Sequence, residues 1–356
     1  MTQPSPIFCT VCFANYLPQA AVLAESLGRC GNELIVLVLD VVPASASERL
    51  PGNVSIETPG SFIDESTLRS WRAIYDITEQ ATAVKPSFFQ MLMEREGKPV
   101  VYLDPDMVVF ADPWPRISPY LDRAPVALTP HVLSSDQPPG VLSLVLANGV
   151  FNLGFLAVSK GSESFLAWWR DRLRFDCLLD TTRNLAVDQR WVDVAPSLFP
   201  FVLVDDPGIN VGPWNTHERA IGNVIAGLPL AEQHPRFAMA TGSGMLAVAH
   251  FSKATLRPLG DRTAKSDDLV ALDRSYGVAV GDQQRRFGAL PKPVFDPKVA
   301  RRRAKRRAEM TNASNAPRRR KAAIESRIEE SRILIVELAR RYRHSTLVRT
   351  AKRLRR

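Results

Sequence analysis

The sequence predicts an α/β domain built around a mainly parallel sheet. Two observations predict it. The apolar runs are continuous rather than alternating, as in Leu34-Ile35-Val36-Leu37-Val38-Leu39, which marks strands buried on both faces. Between these runs lie stretches of helical spacing closed by helix stop signals, so strands and helices alternate along the chain.

In chain order, residues 7–13 read as a first strand and residues 19–27 as a helix stopped by Gly28 and Gly31. Residues 33–40 and 54–57 are a second and third strand. Residues 83–95 form a helix with Gly97 as its cap, and residues 100–103 the next strand. Residues 141–159 carry no charge over 19 positions, about the span of a membrane helix. Asn148, Gly149, Asn152 and Gly154 interrupt that run, so it reads instead as a helix ending near Leu146, a turn, and a buried strand over 155–158. Residues 162–175 are a helix bearing Trp168 and Trp169, with core packing as their main role. Residues 188–192 open a short helix, and 201–204 and 245–251 are strands, the first ending at Asp205-Asp206 and the second holding His250.

The globular part is expected to span 1–298, followed by a basic, partly helical tail over 299–356. Residues 301–356 hold 20 Lys/Arg against 5 Glu, a charge of +15, whereas residues 1–300 hold 26 Lys/Arg against 32 Asp/Glu, a charge of −6. The net charge of +9 therefore belongs to the tail, and nucleic-acid binding is not the reading. Tyr342 is the tail's one aromatic residue, whereas single-stranded nucleic acid is held by repeated base stacking. Ile324, Ile328, Ile335, Leu338 and Tyr342 share a helical face. Basic charge with an apolar face suits an anionic membrane surface; a solvated appendage is the alternative.

Cys9 and Cys12 form a C-x-x-C inside an apolar strand run, with Cys30 and Cys177 elsewhere. Redox pairs of this spacing sit at helix N-termini and zinc sites bring further ligands, so these read as small buried residues in a reducing compartment. The N-terminus has no basic segment followed by an apolar one, so no signal peptide is read. A cytoplasmic protein, free or peripheral on the inner face of the membrane, is expected.

The chemistry is concentrated at Leu103-Asp104-Pro105-Asp106. It is the one Asp-x-Asp of the chain, and it interrupts a buried run, Val100 to Phe110. Two carboxylates there are costly unless something pairs with them, and a divalent metal is the simplest partner for hard oxygen ligands. In parallel sheets ligands bind outside the carboxyl ends of strands, and Asp104 and Asp106 follow Leu103 at such an end.

With these residues in view, the chain resembles the GT-A-fold nucleotide-sugar glycosyltransferases, in particular the family-8-like branch with its bacterial lipooligosaccharide galactosyltransferases. The likeness covers about residues 7–260 and rests on the order of short motifs. Asn15-Tyr16 resembles the nucleotide-binding segment after the first strand, and Lys85-Pro86 the basic residue reaching the sugar nucleotide. Phe151-Asn152-Leu153-Gly154-Phe155 resembles the F-N-x-G segment at the donor sugar, and Asp188-Gln189 the D-Q pair beside the reacting carbon. Asn210-Val211-Gly212-Pro213-Trp214-Asn215 resembles an N-x-x-x-W-N segment, and His250-Phe251-Ser252 the segment that supplies a third metal ligand. The chain departs from the pattern where Cys12, Phe13 and Ala14 replace an acidic base-contacting residue. It departs again after His250, where Lys253 or Arg257 takes the pyrophosphate-binding place.

The resemblance implies the following roles: Asp104, Asp106 and His250 as metal ligands, with Mn²⁺ suited better than Mg²⁺ by the mixed oxygen and nitrogen set; Asn15, Tyr16, Lys85 and Lys253 or Arg257 on the nucleotide; and Asp188, Gln189 and Asn152 at the transferred sugar. It implies a nucleotide-diphosphate sugar donor, a glycan or lipid-linked acceptor and retention of configuration. His131 is ambiguous between cleft and loop. Two other classes compete. A nucleotidyltransferase would carry a glycine-rich loop after the first strand, where this chain has Ala14-Asn15-Tyr16-Leu17-Pro18. A non-catalytic member would act through its tail.

Overall fold

In the computed structural model the described residues are 4–180, 184–258, 266–291 and 293. They fall in one compact unit, Met1–Phe295. The tail helix expected over 322–344 lies outside the described residues.

The strands are β1 (Ile7–Cys12), β2 (Leu34–Val38), β3 (Val54–Glu57), β4 (Val100–Leu103), β5 (Met107–Val109), β6 (Val126–Pro130), β7 (Phe151–Val158), β8 (Leu179–Asp180), β9 (Leu185–Ala186), β10 (Val202–Leu203), β11 (Ala220–Gly222), β12 (Arg236–Met239), β13 (Gly242–Met245) and β14 (Val248–His250). The helices are α1 (Leu17–Gly28), α2 (Ala44–Ser47), α3 (Glu65–Ile74), α4 (Ile77–Ala83), α5 (Lys85–Glu96), α6 (Trp114–Leu121), α7 (Val141–Asn148), α8 (Glu163–Asp176), α9 (Gln189–Val192) and α10 (Asp267–Phe287).

Seven strands form the central sheet in the order β10-β6-β7-β4-β1-β2-β3. All neighbouring pairs are parallel except those made by β7, which runs antiparallel to β4 and β6. The expected α/β class with a mainly parallel sheet is thus present. Both faces are covered. On one side Phe88, Phe89, Trp169 and Leu173 pack on Val100, Tyr102, Leu156 and Val158. On the other, Leu17, Leu23 and Leu27 with Ile117 and Leu121 pack on Phe8, Val36, Val101 and Phe155. Continuous apolar strands are what such a two-faced sheet demands. Trp169 is wholly buried and Trp168 packs partly buried beside it, so both serve the core.

The expected helices and strands up to Leu103 are found, with Gly97 closing α5 in the left-handed conformation at φ 66°, as a glycine cap does. Three readings are corrected. Asn152 and Gly154 are not in a turn: β7 begins at Phe151 and is buried along its whole length. The strand expected over 245–251 is shorter, β14 over Val248–His250, and Met245 instead ends β13 in a different sheet. The helix expected over 83–95 is α5, which begins at Lys85, and a further helix, α4, precedes it and ends at Ala83.

Candidate active site

The site is built where β4 and β14 end beside the first half of β7. After Leu103 the chain turns at Asp104-Pro105-Asp106, with Met107 N–H donating to Asp104 O at 3.1 Å, and enters β5. β5 pairs antiparallel with β14 in a register that sets His250 opposite Met107. Phe251 N–H donates to Asp106 O at 2.9 Å. This short ribbon brings a residue 144 positions from Asp106 next to it. His250 Nε2 lies 3.1 Å from Asp106 Oδ1 and 3.7 Å from Asp104 Oδ2. Ligand atoms of all three residues fall within 4.8 Å of one another.

β7 forms the floor. Asp104 N–H donates to Gly154 O at 2.8 Å, and Gly154 has no room for a side chain. A Cβ there would lie 2.5 Å from His250 Cε1, 2.7 Å from His250 Nδ1 and 2.8 Å from Asp104 Oδ2. Two acids and an imidazole facing a backbone that only glycine permits fit a divalent cation. Burial works against a charged His250, yet Asp106 and Asp104 outweigh it and raise the imidazole above its ordinary range. The cluster thus draws in positive charge, as a cation site should.

Lys85, at the first position of α5, reaches this cluster from below the sheet edge. It is 5% exposed. Its Nζ lies 3.4 Å from Asp188 Oδ2 and 3.7 Å from Asp104 Oδ1, donates to Leu153 O at 3.1 Å, and stands 4.4 Å over the Tyr102 ring. Burial opposes its charge, but Asp188 and Asp104 prevail and hold the ammonium above the usual lysine range. Tyr102 O–H donates to Asp104 Oδ1 at 2.6 Å, fixing that carboxylate. Burial pushes Asp188 up to about 6, against the pull of Lys85 and with help from Asp104. Apart from the Lys85 ion pair, Asp188 Oδ2 has no partner among the described residues.

Asn152 and Gln189 meet over β7. Asn152 Nδ2 donates to Gln189 Oε1 and to His131 Nε2, both at 3.4 Å, while its Oδ1 accepts from Gly154 N–H at 3.1 Å. Gln189 Nε2 donates to Asn148 O at 3.0 Å, tying α9 to the end of α7. His131 belongs to the site: it is buried, burial pushes its imidazole down to about 4, and it sits edge-on to Trp214, which is also edge-on to His250.

Asn15 and Tyr16 occupy a single 3₁₀ turn, Ala14–Tyr16, at the carboxyl end of β1, where Ala14 N–H donates to Asp40 Oδ1 at 2.7 Å. Asn15 Oδ1 is buried with no hydrogen-bond partner among the described residues. Tyr16 is 41% exposed, and burial with the nearby charges of Asp106 and Asp104 raises its phenol. The two candidate pyrophosphate cations differ. Arg257 pairs with Asp273 of α10 at 3.4 Å. Lys253 is exposed, makes no ion pair among the described residues, and lies with Ala254 in the left-handed region at φ 56° and 59°. Such backbone strain concentrates at functional sites.

Tyr102 and Thr129 stand outside the motifs, and Gly154 and Asn210 belong to them without a role of their own, yet each holds a site residue. Tyr102 sits two residues before Asp104, where a strand places both side chains on one face; that spacing was the available signal. Asp205 and Asp206 serve structure: Asp206 takes a bidentate ion pair from Arg116, and Tyr120 donates to Asp205.

No protein-family model matches the chain, and no curated protein does. Among solved structures it is similar to the galactosyltransferase LgtC in complex with donor and acceptor sugar analogues, at 17% identity over 79% of this chain and 99% of that one, TM-score 0.43. It is also similar to the glycosyltransferase GlyE of Streptococcus pneumoniae TIGR4, at 15% identity over 80% of this chain and 64% of that one, TM-score 0.44. A third is the bifunctional glycosyltransferase WbbM, at 14% identity over 79% of this chain and 51% of that one, TM-score 0.44. Likeness at this level gives no residue-by-residue correspondence, so the chemistry is read from this chain's own side chains.

Proposed function

We propose that the chain is a metal-dependent, GT-A, family-8-like glycosyltransferase that moves a sugar from a nucleotide-diphosphate sugar to a glycan or lipid-linked acceptor in cell-surface polysaccharide synthesis. One observation carries the reading. Residues scattered from 85 to 250 converge at one carboxyl edge of the sheet as a metal-ligating triad beside a buried Lys85–Asp188 pair.

The donor set fits the group: Asp104, Asp106 and His250 would hold Mn²⁺ or Mg²⁺, which supplies Lewis-acid stabilisation of the departing nucleoside diphosphate when bound. The protein's own residues do the rest. Lys85 places a fixed positive charge at a water-poor edge, where negative charge on a leaving group is stabilised most. Lys253 is the better candidate for a second cation on the pyrophosphate, since Arg257 is already paired. Asp188 offers a sugar hydroxyl a carboxylate oxygen that, among the described residues, meets only Lys85. Gln189 and Asn152 orient the sugar with neutral amides. At the carboxyl end of β1, Tyr16 and the unpartnered Asn15 oxygen face the nucleotide, Tyr16 by stacking.

The basic segment beyond 299 is proposed to meet an anionic membrane surface, which would place a lipid-linked acceptor near the site. Among the described residues no helix is long and apolar enough to cross a membrane. The test is a panel of sugar nucleotides with Mn²⁺, read by thermal shift and slow donor hydrolysis. A metal-dependent response to one donor is expected, and no response to any donor overturns the reading.

A further inference from the structure

Asn210 precedes the Val211 bridge to Ala249 and is 0% exposed, with φ of 54°. Asparagine tolerates this conformation better than most residues. Its amide lies between two groups already placed in the site. On one side Nδ2 faces three oxygens: Thr129 Oγ1 at 2.8 Å, Asn152 Oδ1 at 3.0 Å and Asn152 O at 3.2 Å. On the other, Oδ1 lies 3.3 Å from His250 Nδ1.

The orientation follows from backbone chemistry. Gly154 N–H can only donate, and it donates to Asn152 Oδ1, so that atom is an acceptor. Asn152 O is a carbonyl and also an acceptor. The Asn210 atom facing both must therefore be the amide nitrogen. That leaves its oxygen for His250, and an oxygen there calls for a proton on Nδ1. With a cation among Asp104, Asp106 and His250, Nε2 would give it the lone pair and the ring's one proton would stand on Nδ1; without one, Asp106 Oδ1 at 3.1 Å draws a proton onto Nε2 as Asn210 Oδ1 draws one onto Nδ1.

We propose that Asn210 is a positioning residue that fixes the Nδ1–H tautomer of His250 and, through the same amide, holds Asn152 in place. It links the metal ligand to the sugar-orienting amide. Asn210 is itself held: Asn215 Nδ2 donates to its carbonyl at 3.2 Å and to His131 O at 3.0 Å. The inference rests on the metal-site reading, because a cation on Nε2 is what leaves the ring's one proton to Nδ1 and Asn210.

The test is run with diamagnetic Mg²⁺ at the concentration that just saturates the native site. Long-range ¹H–¹⁵N spectra of the histidine rings are recorded at alkaline pH, where the imidazoles are neutral. Five histidines are present, and the His250→Ala spectrum identifies the His250 signals. The native protein should show His250 protonated at Nδ1, and Asn210→Ala should shift the ring toward Nε2–H. Mn²⁺ titrated alone should bind Asn210→Ala about tenfold more weakly or worse, the usual cost of losing such a partner. Asn210→Asp, of nearly the same volume, keeps an oxygen for Nδ1–H and loses the donor to Asn152. It should retain the tautomer while donor KM rises. A native Nε2–H ring, an Nε2–H ring in Asn210→Asp, or an unchanged tautomer in a folded Asn210→Ala overturns the proposal. If native protein binds no Mn²⁺ the metal-site reading falls, whereas Mn²⁺ bound equally by native protein and Asn210→Ala overturns this proposal alone.

Discussion

Gly154→Ala adds one methyl group at the floor of the proposed metal site. Its Cβ would stand 2.5 Å from His250 Cε1 and 2.8 Å from Asp104 Oδ2, where ordinary contact begins at 3.4 Å. The imidazole must retreat about 0.9 Å and the carboxylate about 0.6 Å, because β7 cannot yield: Gly154 O is bonded to Asp104 N and its strand is paired on both sides. Ligand distances tolerate only about 0.2 Å. Displacing two of three ligands by several times that amount should weaken Mn²⁺ binding at least about 100-fold, the upper end for disturbing a ligand's support. Overpacking one methyl costs about 1–3 kcal/mol, so the fold should survive with a lowered melting temperature. Loss of the free-Mn²⁺ spin-resonance signal on titration measures binding, and a thermal melt reports the fold. Native-like Mn²⁺ affinity in a folded Gly154→Ala protein would refute the placement of the metal among Asp104, Asp106 and His250.

Lys85→Met removes the cation that faces Asp188 and Asp104, stranding buried carboxylate charge at a cost of about 3–5 kcal/mol. The melting temperature should drop, and adding Asp188→Asn should recover stability without recovering turnover; a double variant no more stable than the single would contradict the pairing. His131 is neutral when folded because burial holds its imidazole at about 4, below the 6.5 of an unperturbed ring. The unfolded chain therefore takes up the proton first. Stability from this group is present above pH 6.5 and is lost as pH falls toward 4, by on the order of 3 kcal/mol. His131→Gln should melt with a shallower acid slope over that window than the native protein, and equal slopes would count against it. Truncation after Pro297 should abolish binding to anionic vesicles and spare soluble turnover; unchanged vesicle binding would rule out the membrane role of the tail.

What could be read from the sequence follows from the range of the forces involved. Buried parallel strands write themselves as apolar runs, so β1, β2 and β4 are legible, and Asp104 and Asp106 stand out because carboxylates in such a run need a partner. The α/β class and the strand-end position of the acids follow from the same pattern. Contacts made across the sheet leave no local mark. Nothing near His250 states that β14 pairs with β5, and only that pairing brings Nε2 to 3.1 Å from Asp106. Gly154 looked like a turn residue because glycine signals turns more often than crowding; it lies in a buried strand where neighbours fill the place of its side chain. The helix α10 escaped notice because Gly277 and Gly281 lower its helical signal, while Leu269, Leu272, Tyr276 and Val280 bury its inner face against Phe251 and its neighbours. Arg257 and Lys253 were indistinguishable in sequence, and the ion pair with Asp273 separates them.

Calorimetric titration of nucleotide-diphosphate sugars into native protein and Asp106→Ala, each with and without Mn²⁺, tests the central claim most directly. The account predicts that one donor binds the native protein with Mn²⁺, loses most of its affinity when the metal is removed, and shows no metal dependence with Asp106→Ala. A donor that binds and turns over equally well in Asp106→Ala with Mn²⁺ would contradict the assignment of this site.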